Sequence, residues 1–275
     1  MDATVFKLKL RKFKEFFFRF WRSENSKISI IRDVLIAFIL VFIIIMALWA
    51  YTGQWLGAPM VAIESGSMMH KNEPFGRFGT IDAGDMVLLV KVNNKNDVVP
   101  NSAKDPNNYF YGNYGDVIVY RPYGRDNADR IIHRAMCWVE YNPTNNTYTV
   151  EAYGIYYAAS ITIPELGLHN YVVPRTPHSG FITKGDNNDQ CDQVAPNICD
   201  EPIKAEWVSG KARGELPWIG SLNLLFNDIT SGKSTLGNVP QDSIICLIIL
   251  IAVLVSIPLS LDLISYYKEK KKGQV

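Results

Sequence analysis

The sequence predicts a mostly β domain, a compact antiparallel fold, carried by two transmembrane helices. Three observations lead there. Val34 to Trp55 is an uncharged apolar run of about the 20 residues that a helix needs to cross a hydrocarbon core. Ser243 to Leu261 is a second such run. Between them, short β-branched runs alternate with Gly, Pro and Asn clusters. Apart from a weak helical period in 218–230, no long amphipathic helix is expected between residues 60 and 240. Short strands at irregular spacing suit a mostly antiparallel sheet.

Taken in order, residues 1–33 form a basic segment. Within it, residues 5–27 interleave Lys and Arg with Phe16, Phe17, Phe18, Phe20 and Trp21, the composition of an amphipathic helix lying on an anionic leaflet. Residues 34–55 are the first span. A cleavable signal peptide fits this segment poorly, because its basic region is too long and its apolar run exceeds about 7–15 residues. Residues 243–265 are the second span, with Pro258 inside it, a position that membrane helices tolerate. Residues 266–275 carry Lys268, Lys270, Lys271 and Lys272. Basic residues outside both spans place both termini in the cytosol, so residues 56–242 face the opposite side of a cell membrane. The formal net charge of +1 gives no reason to expect nucleic acid as a partner, whereas membrane lipids are expected ones.

Within 56–242, Met86–Val92 and Val117–Tyr120 come after the turn pairs Gly84-Asp85 and Gly115-Asp116 and read as strands. Ile131-Ile132 and Tyr148–Ala152 are further candidates. Residues 93–114 are Asn-rich and read as a mobile surface insertion. Cys137 reads as a small buried hydrophobe, and Cys246 lies in the second span. Cys191 and Cys199 sit close together in a polar loop, where a disulfide and two free thiols are both compatible with the sequence. Asn145-Asn146-Thr147 is a glycosylation triplet. No HExxH or CxxC pair and no EF-hand spacing is present, so neither a metal nor another cofactor is expected.

The chemistry is read from three boxes. Ser67 stands between Gly66 and Met68, a plausible nucleophile on a tight turn where glycine lets a substrate backbone approach. Ser65 is placed to offer its hydroxyl to a developing oxyanion beside the Ser67 N–H. His133 ends an apolar pair and precedes Arg134, a position suited to a general base. Asp186 and Asp192 share one polar loop after Phe181-Ile182-Thr183, and either could orient the base, with Asp189 as a third candidate. Each box alone is ordinary turn or strand chemistry.

In combination the chain resembles type I signal peptidases, in particular the archaeal and endoplasmic-reticulum branch. The resemblance rests on SGSM at 65–68, IIHR at 131–134, TKGDNN at 183–188 with Asp192 beyond, and GKARGELPWIG at 210–220. The paired Gly-Asp segments at 84 and 115 fit as well, and together these cover roughly residues 34–226. The histidine at 133 stands where the bacterial branch has lysine. The resemblance implies a β-rich catalytic domain beside the membrane, with Ser67 as nucleophile, His133 as base, Asp192 as the acidic member and Asp186 as a second important acid. It implies serine endopeptidase activity on signal-peptide-bearing preproteins near the Sec translocon, at the plasma membrane. Its rivals are a non-catalytic anchored β domain and a related protease acting on other membrane proteins.

Three departures stand out. His70 occupies the position where the family usually has proline, with Glu73-Pro74-Phe75 a displaced equivalent, and it threatens to crowd the site. The 93–114 segment is longer than expected. The second span is absent from the eukaryotic subunit, which favours the archaeal type. Only twelve residues separate Trp55 from Ser67, a tether of about 40 Å at full extension, so the serine is held near the outer membrane surface.

Overall fold

The computed structural model describes residues 3–23, 25–55, 57–70, 79–232 and 234–272, and the chain divides into two units, Met1–Leu56 and Gly57–Val275. The first unit is a helix pair, α1 (Ala3–Arg22) and α2 (Ser26–Thr52). The break between them is set by Asn25, whose side chain caps α2 by accepting from the Lys27 N–H at 3.0 Å. Arg32 ties α2 back to α1 by donating to the Trp21 carbonyl at 2.9 Å. Gly53 ends α2 in the left-handed conformation, its N–H bonded to the Trp49 carbonyl. The apolar side chains of α2 point outward, and its length and composition suffice to cross a membrane. α2 starts ahead of the expected span because nothing after Asn25 breaks the helix.

The second unit is built on an antiparallel sheet. Its strands are β1 (Met60–Ala62), β2 (Met86–Val90), β3 (Tyr109–Phe110), β4 (Asn113–Tyr114), β5 (Val117–Tyr120) and β6 (Ile131–Asn142). They continue with β7 (Thr147–Val150), β8 (Ile155–Ala158), β9 (Ile161–Ile163), β10 (Leu168–Tyr171), β11 (Gly180–Lys184) and β12 (Val208–Leu216). The main sheet runs β1-β2-β12-β5-β6-β7-β8, with β11 also paired to β6. Two small hairpins, β3–β4 and β9–β10, stand apart from it. α3 (Gly220–Ser231) and α4 (Gln241–Lys272) close the chain. α4 holds Pro258 without ending there, and it too is long and apolar enough to span a membrane.

β5 explains how the domain is layered. All four of its residues are buried. Because side chains alternate, Val117 and Val119 face a cluster with Ile63, Met68, Val87, Leu89 and Ala212, while Ile118 and Tyr120 face another with Ala135, Phe181 and Ile203. A strand covered on both faces reads as a continuous apolar run, which is how VIVY reads. Cys137 lies fully buried in a third cluster, as expected.

One expectation needs correcting, and others are extended or decided. Residues 93–114 are built into the domain: Val98, Asn101, Asn108 and Tyr111 are buried, and the segment carries short 3-10 turns and the β3–β4 hairpin. Ile131-Ile132 is only the start of a twelve-residue strand. GKARGEL belongs to β12, which pairs with both β2 and β5. Strand β12 carries a register shift between Ala212 and Glu215, and there the Gly214 N–H donates to the Tyr111 hydroxyl at 2.8 Å. Cys191 and Cys199 are both free thiols buried in separate clusters, and burial pushes the Cys191 thiol up to about 11. The Glu73-Pro74-Phe75 stretch lies outside the described residues.

Candidate active site

Ser67 sits on a turn closed by the Met69 N–H to the Gly66 carbonyl at 3.2 Å. Met68 anchors that turn by burying its side chain in the Ile63–Val87 cluster, leaving Ser67 half-buried and Ser65 exposed. The acidic loop clamps the turn from the other side. Asn187 donates its side-chain N–H to the Gly66 carbonyl at 3.0 Å and its backbone N–H to the Ser67 carbonyl at 2.9 Å. Gly185 permits this approach, because a Cβ there would lie 2.6 Å from the Ser67 carbonyl oxygen.

His133 lies on β6 opposite Ile118 of β5, so it shares a face with Ile118 and Tyr120. Thr183 of β11 pairs with Ala135 and therefore lies on that same face. These three strands converge on one oxygen. Asp192 Oδ2 is 2.7 Å from His133 Nδ1, and accepts from the Tyr120 hydroxyl at 2.7 Å and the Thr183 hydroxyl at 2.6 Å. The Asp192 backbone N–H bonds the Thr183 carbonyl at 2.8 Å, which fixes the carboxylate over the strands. Both His133 and Asp192 are buried. Burial, then the adjacent Asp192 charge, pushes the Tyr120 hydroxyl well above its ordinary range, so it stays a neutral donor. With a carboxylate at Nδ1, that nitrogen carries the proton and Nε2 is left as the basic one.

Arg134, the next residue, faces the opposite side and meets the other acid. Its Nε and Nη2 grip Asp186 at 2.8 and 2.5 Å. Nη1 donates to the carbonyls of Phe110, Asn113, Tyr114 and Gly115, and Nη2 to that of Tyr111. The guanidinium is thus fully buried yet saturated with acceptors, most of them supplied by the 93–114 segment. Asp186 also takes His70 Nε2 at 3.1 Å. That contact corrects two expectations: Asp186 does not reach His133, and His70 packs onto the arginine–aspartate pair. A Cβ at Gly112 would meet His70 Cε1 at 2.3 Å, so glycine there makes room for the ring. Asp189 is exposed, and no hydrogen bond joins it to His133 among the described residues.

Ser65, Ser67 and His133 line one cavity of about 620 Å³, together with Val61, Ala62, Asn188, Asn223 and Asn227. The Ser67 hydroxyl hydrogen-bonds that of Ser65 at 3.3 Å, and no bond joins it to His133 among the described residues. The Ser67 N–H carries no hydrogen bond to a described residue and is available as a donor. Such an arrangement can deliver a hydroxyl, a carboxylate-oriented imidazole and two oxyanion donors to a carbonyl seated in the cavity.

Sequence reasoning missed Tyr120, Thr183, Asn187 and the two asparagines of α3. Strand alternation could have pointed to Tyr120, the polar-tipped end of a buried run, but its partner lies 72 residues away. His169 lies on β10, on its exposed face. Comparison with models of known protein families and with curated proteins gave no match for this chain.

Proposed function

We propose that the chain is a membrane-anchored serine endopeptidase that cleaves signal peptides from secreted and membrane preproteins. The observation that carries this reading is the His133–Asp192 pair at 2.7 Å, with His133 on the wall of the cavity that Ser67 also lines. In the proposed reaction the Ser67 hydroxyl oxygen attacks the scissile carbonyl while His133 Nε2 takes its proton. The carbonyl oxygen becomes an oxyanion stabilised by the Ser67 N–H and the Ser65 hydroxyl. Asp192 stabilises the imidazolium, which then protonates the departing amine. The remaining acyl-enzyme is hydrolysed when His133 takes a proton from water and returns it to Ser67.

Further support comes from β1. Among the described residues it is an edge strand of the main sheet, and residues 61–64 border the cavity. An extended peptide laid along that edge would bring a carbonyl to Ser67 by main-chain pairing. The two apolar helices fit an anchor on the bilayer from which such a peptide emerges, with both termini cytosolic and the sheet domain outside. The test is cleavage of a preprotein by the reconstituted full-length protein, with the cut mapped by mass spectrometry. Cleavage just past the apolar region of the signal peptide, abolished in Ser67→Ala, is expected. Undiminished cleavage by Ser67→Ala defeats the assignment, and cuts elsewhere in membrane proteins would move the substrate class.

A further inference from the structure

α3 carries an apolar stripe that its own domain leaves uncovered. Leu222, Leu225, Phe226 and Ile229 recur at i, i+3, i+4 and i+7 and are 40, 42, 69 and 72% exposed. The opposite side of the helix is engaged: Gly220, Ser221 and Leu224 are buried, and Asn223 and Asn227 line the Ser67–His133 cavity. An amphipathic helix of this kind normally turns its apolar stripe inward, and here the stripe is turned out.

The neighbouring chain indicates the occupant. Only residues 232–240 separate α3 from α4, whose apolar side chains from Ile251 to Ile264 are likewise exposed and whose length suits a membrane span. The connection is braced. Gly232 closes α3 in the left-handed conformation, and the Asp228 carboxylate accepts from the Thr235 and Leu236 N–H groups at 2.9 and 2.8 Å. α3 is also tied to the catalytic turn. The Ser221 N–H bonds the Gly84 carbonyl at 2.9 Å, and the Asn238 side chain donates to the carbonyl of Glu64, next to Ser65, at 2.9 Å. Asp228 is the one formally charged residue of α3 and is committed to this bracing, so the stripe itself carries no charge.

We propose that α3 lies in the membrane interface with its Leu222–Leu225–Phe226–Ile229 face among the lipids, holding the Ser67–His133 cavity against the bilayer surface. An apolar helical face of this size partitions into the boundary between headgroups and acyl chains. Its polar edge then faces the cavity, so a peptide leaving the bilayer meets the active site without crossing bulk water. The proposal rests on α4 as a membrane span, and its first test does not depend on peptidase activity.

The full-length protein, with Cys246→Ala, is reconstituted into phosphatidylcholine–phosphatidylglycerol vesicles and spin-labelled at Phe226→Cys or Ile229→Cys. Cys137, Cys191 and Cys199 are buried, and Asn145→Cys on the exposed β6–β7 turn is the control. Labels at 226 and 229 are expected to collide more with dissolved oxygen than with a water-soluble nickel complex, and the label at 145 the reverse. Nickel-dominated collisions at 226 and 229 overturn the proposal, as does exclusion of both agents, which would mean that a second copy or another protein covers the stripe. In a second arm, Phe226→Asn combined with Ile229→Asn should slow cleavage of a membrane-inserted preprotein severalfold while leaving cleavage of a short soluble peptide unchanged. Equal rates on the inserted preprotein contradict the positioning role. Failure of the parent protein to cleave either substrate would sink the peptidase reading and leave the collision data to decide the lipid contact.

Discussion

Replacing Asp192 by asparagine isolates what its charge does, because the shape is kept. The carboxylate oxygen Oδ2 holds His133, Tyr120 and Thr183 at 2.7, 2.7 and 2.6 Å. An asparagine oxygen can go on accepting from all three. What is lost, in the proposed reaction, is the attraction between a carboxylate and the imidazolium that would form as Ser67 attacks. Opposite unit charges about 4 Å apart at an effective dielectric of about 20 attract by about 4 kcal/mol. At about 1.4 kcal/mol per decade, kcat should fall by roughly a thousandfold. Stability should respond less. The new amide nitrogen would take the place of Oδ1, which is buried and has no hydrogen-bond partner, and an unsatisfied donor there costs about 1–3 kcal/mol. The assay is steady-state cleavage of one preprotein by both proteins in the same detergent, with thermal unfolding measured alongside. A kcat within tenfold of wild type in a folded Asp192→Asn protein would falsify the view that this carboxylate serves the reacting imidazole.

The other acid should behave in the opposite way. In Asp186→Asn the buried Arg134 loses its counter-charge, and breaking a buried pair of this kind costs about 3–5 kcal/mol, so the melting temperature should drop while kcat of the folded fraction stays within tenfold. A melting temperature equal to that of wild type refutes the structural role given to Asp186. Ser65→Ala should lower kcat by about a hundredfold, as loss of an oxyanion donor does, and leave unfolding nearly untouched because Ser65 is exposed; an unchanged kcat removes Ser65 from the reaction. Glu215 gives a pH prediction. Burial, then the nearby Asp85 and Asp82 carboxylates, push it up to about 7 from its ordinary 4.5. The folded chain therefore keeps a proton that the unfolded chain sheds between those values, so this group's contribution to stability falls as pH rises from 4.5 to 7. Chemical denaturation across that window should show a shallower decline in Glu215→Gln, and identical slopes in the two proteins would contradict the shift.

The sequence by itself determined what depends on composition and local geometry. Two uncharged runs of spanning length announce α2 and α4, because a helix of a given length either matches a hydrocarbon core or does not. Gly84-Asp85 and Gly115-Asp116 mark where β2 and β5 begin, and the all-apolar VIVY marks a strand buried on both faces. Alternation along β6 likewise sends His133 and Arg134 to opposite faces. Only the tertiary structure decided which acid waits on each face, since six residues of loop allow either pairing. Asp192 was chosen by β11, which sets the Thr183 backbone and hydroxyl against it, and Asp186 by Arg134, whose guanidinium is held by carbonyls of an Asn-rich segment whose sequence reads as surface loop. Tyr120, Asn187 and the asparagines of α3 stayed illegible for the same reason. Their roles arise from partners far along the chain, and such contacts depend on strand register and loop path, which no local pattern encodes.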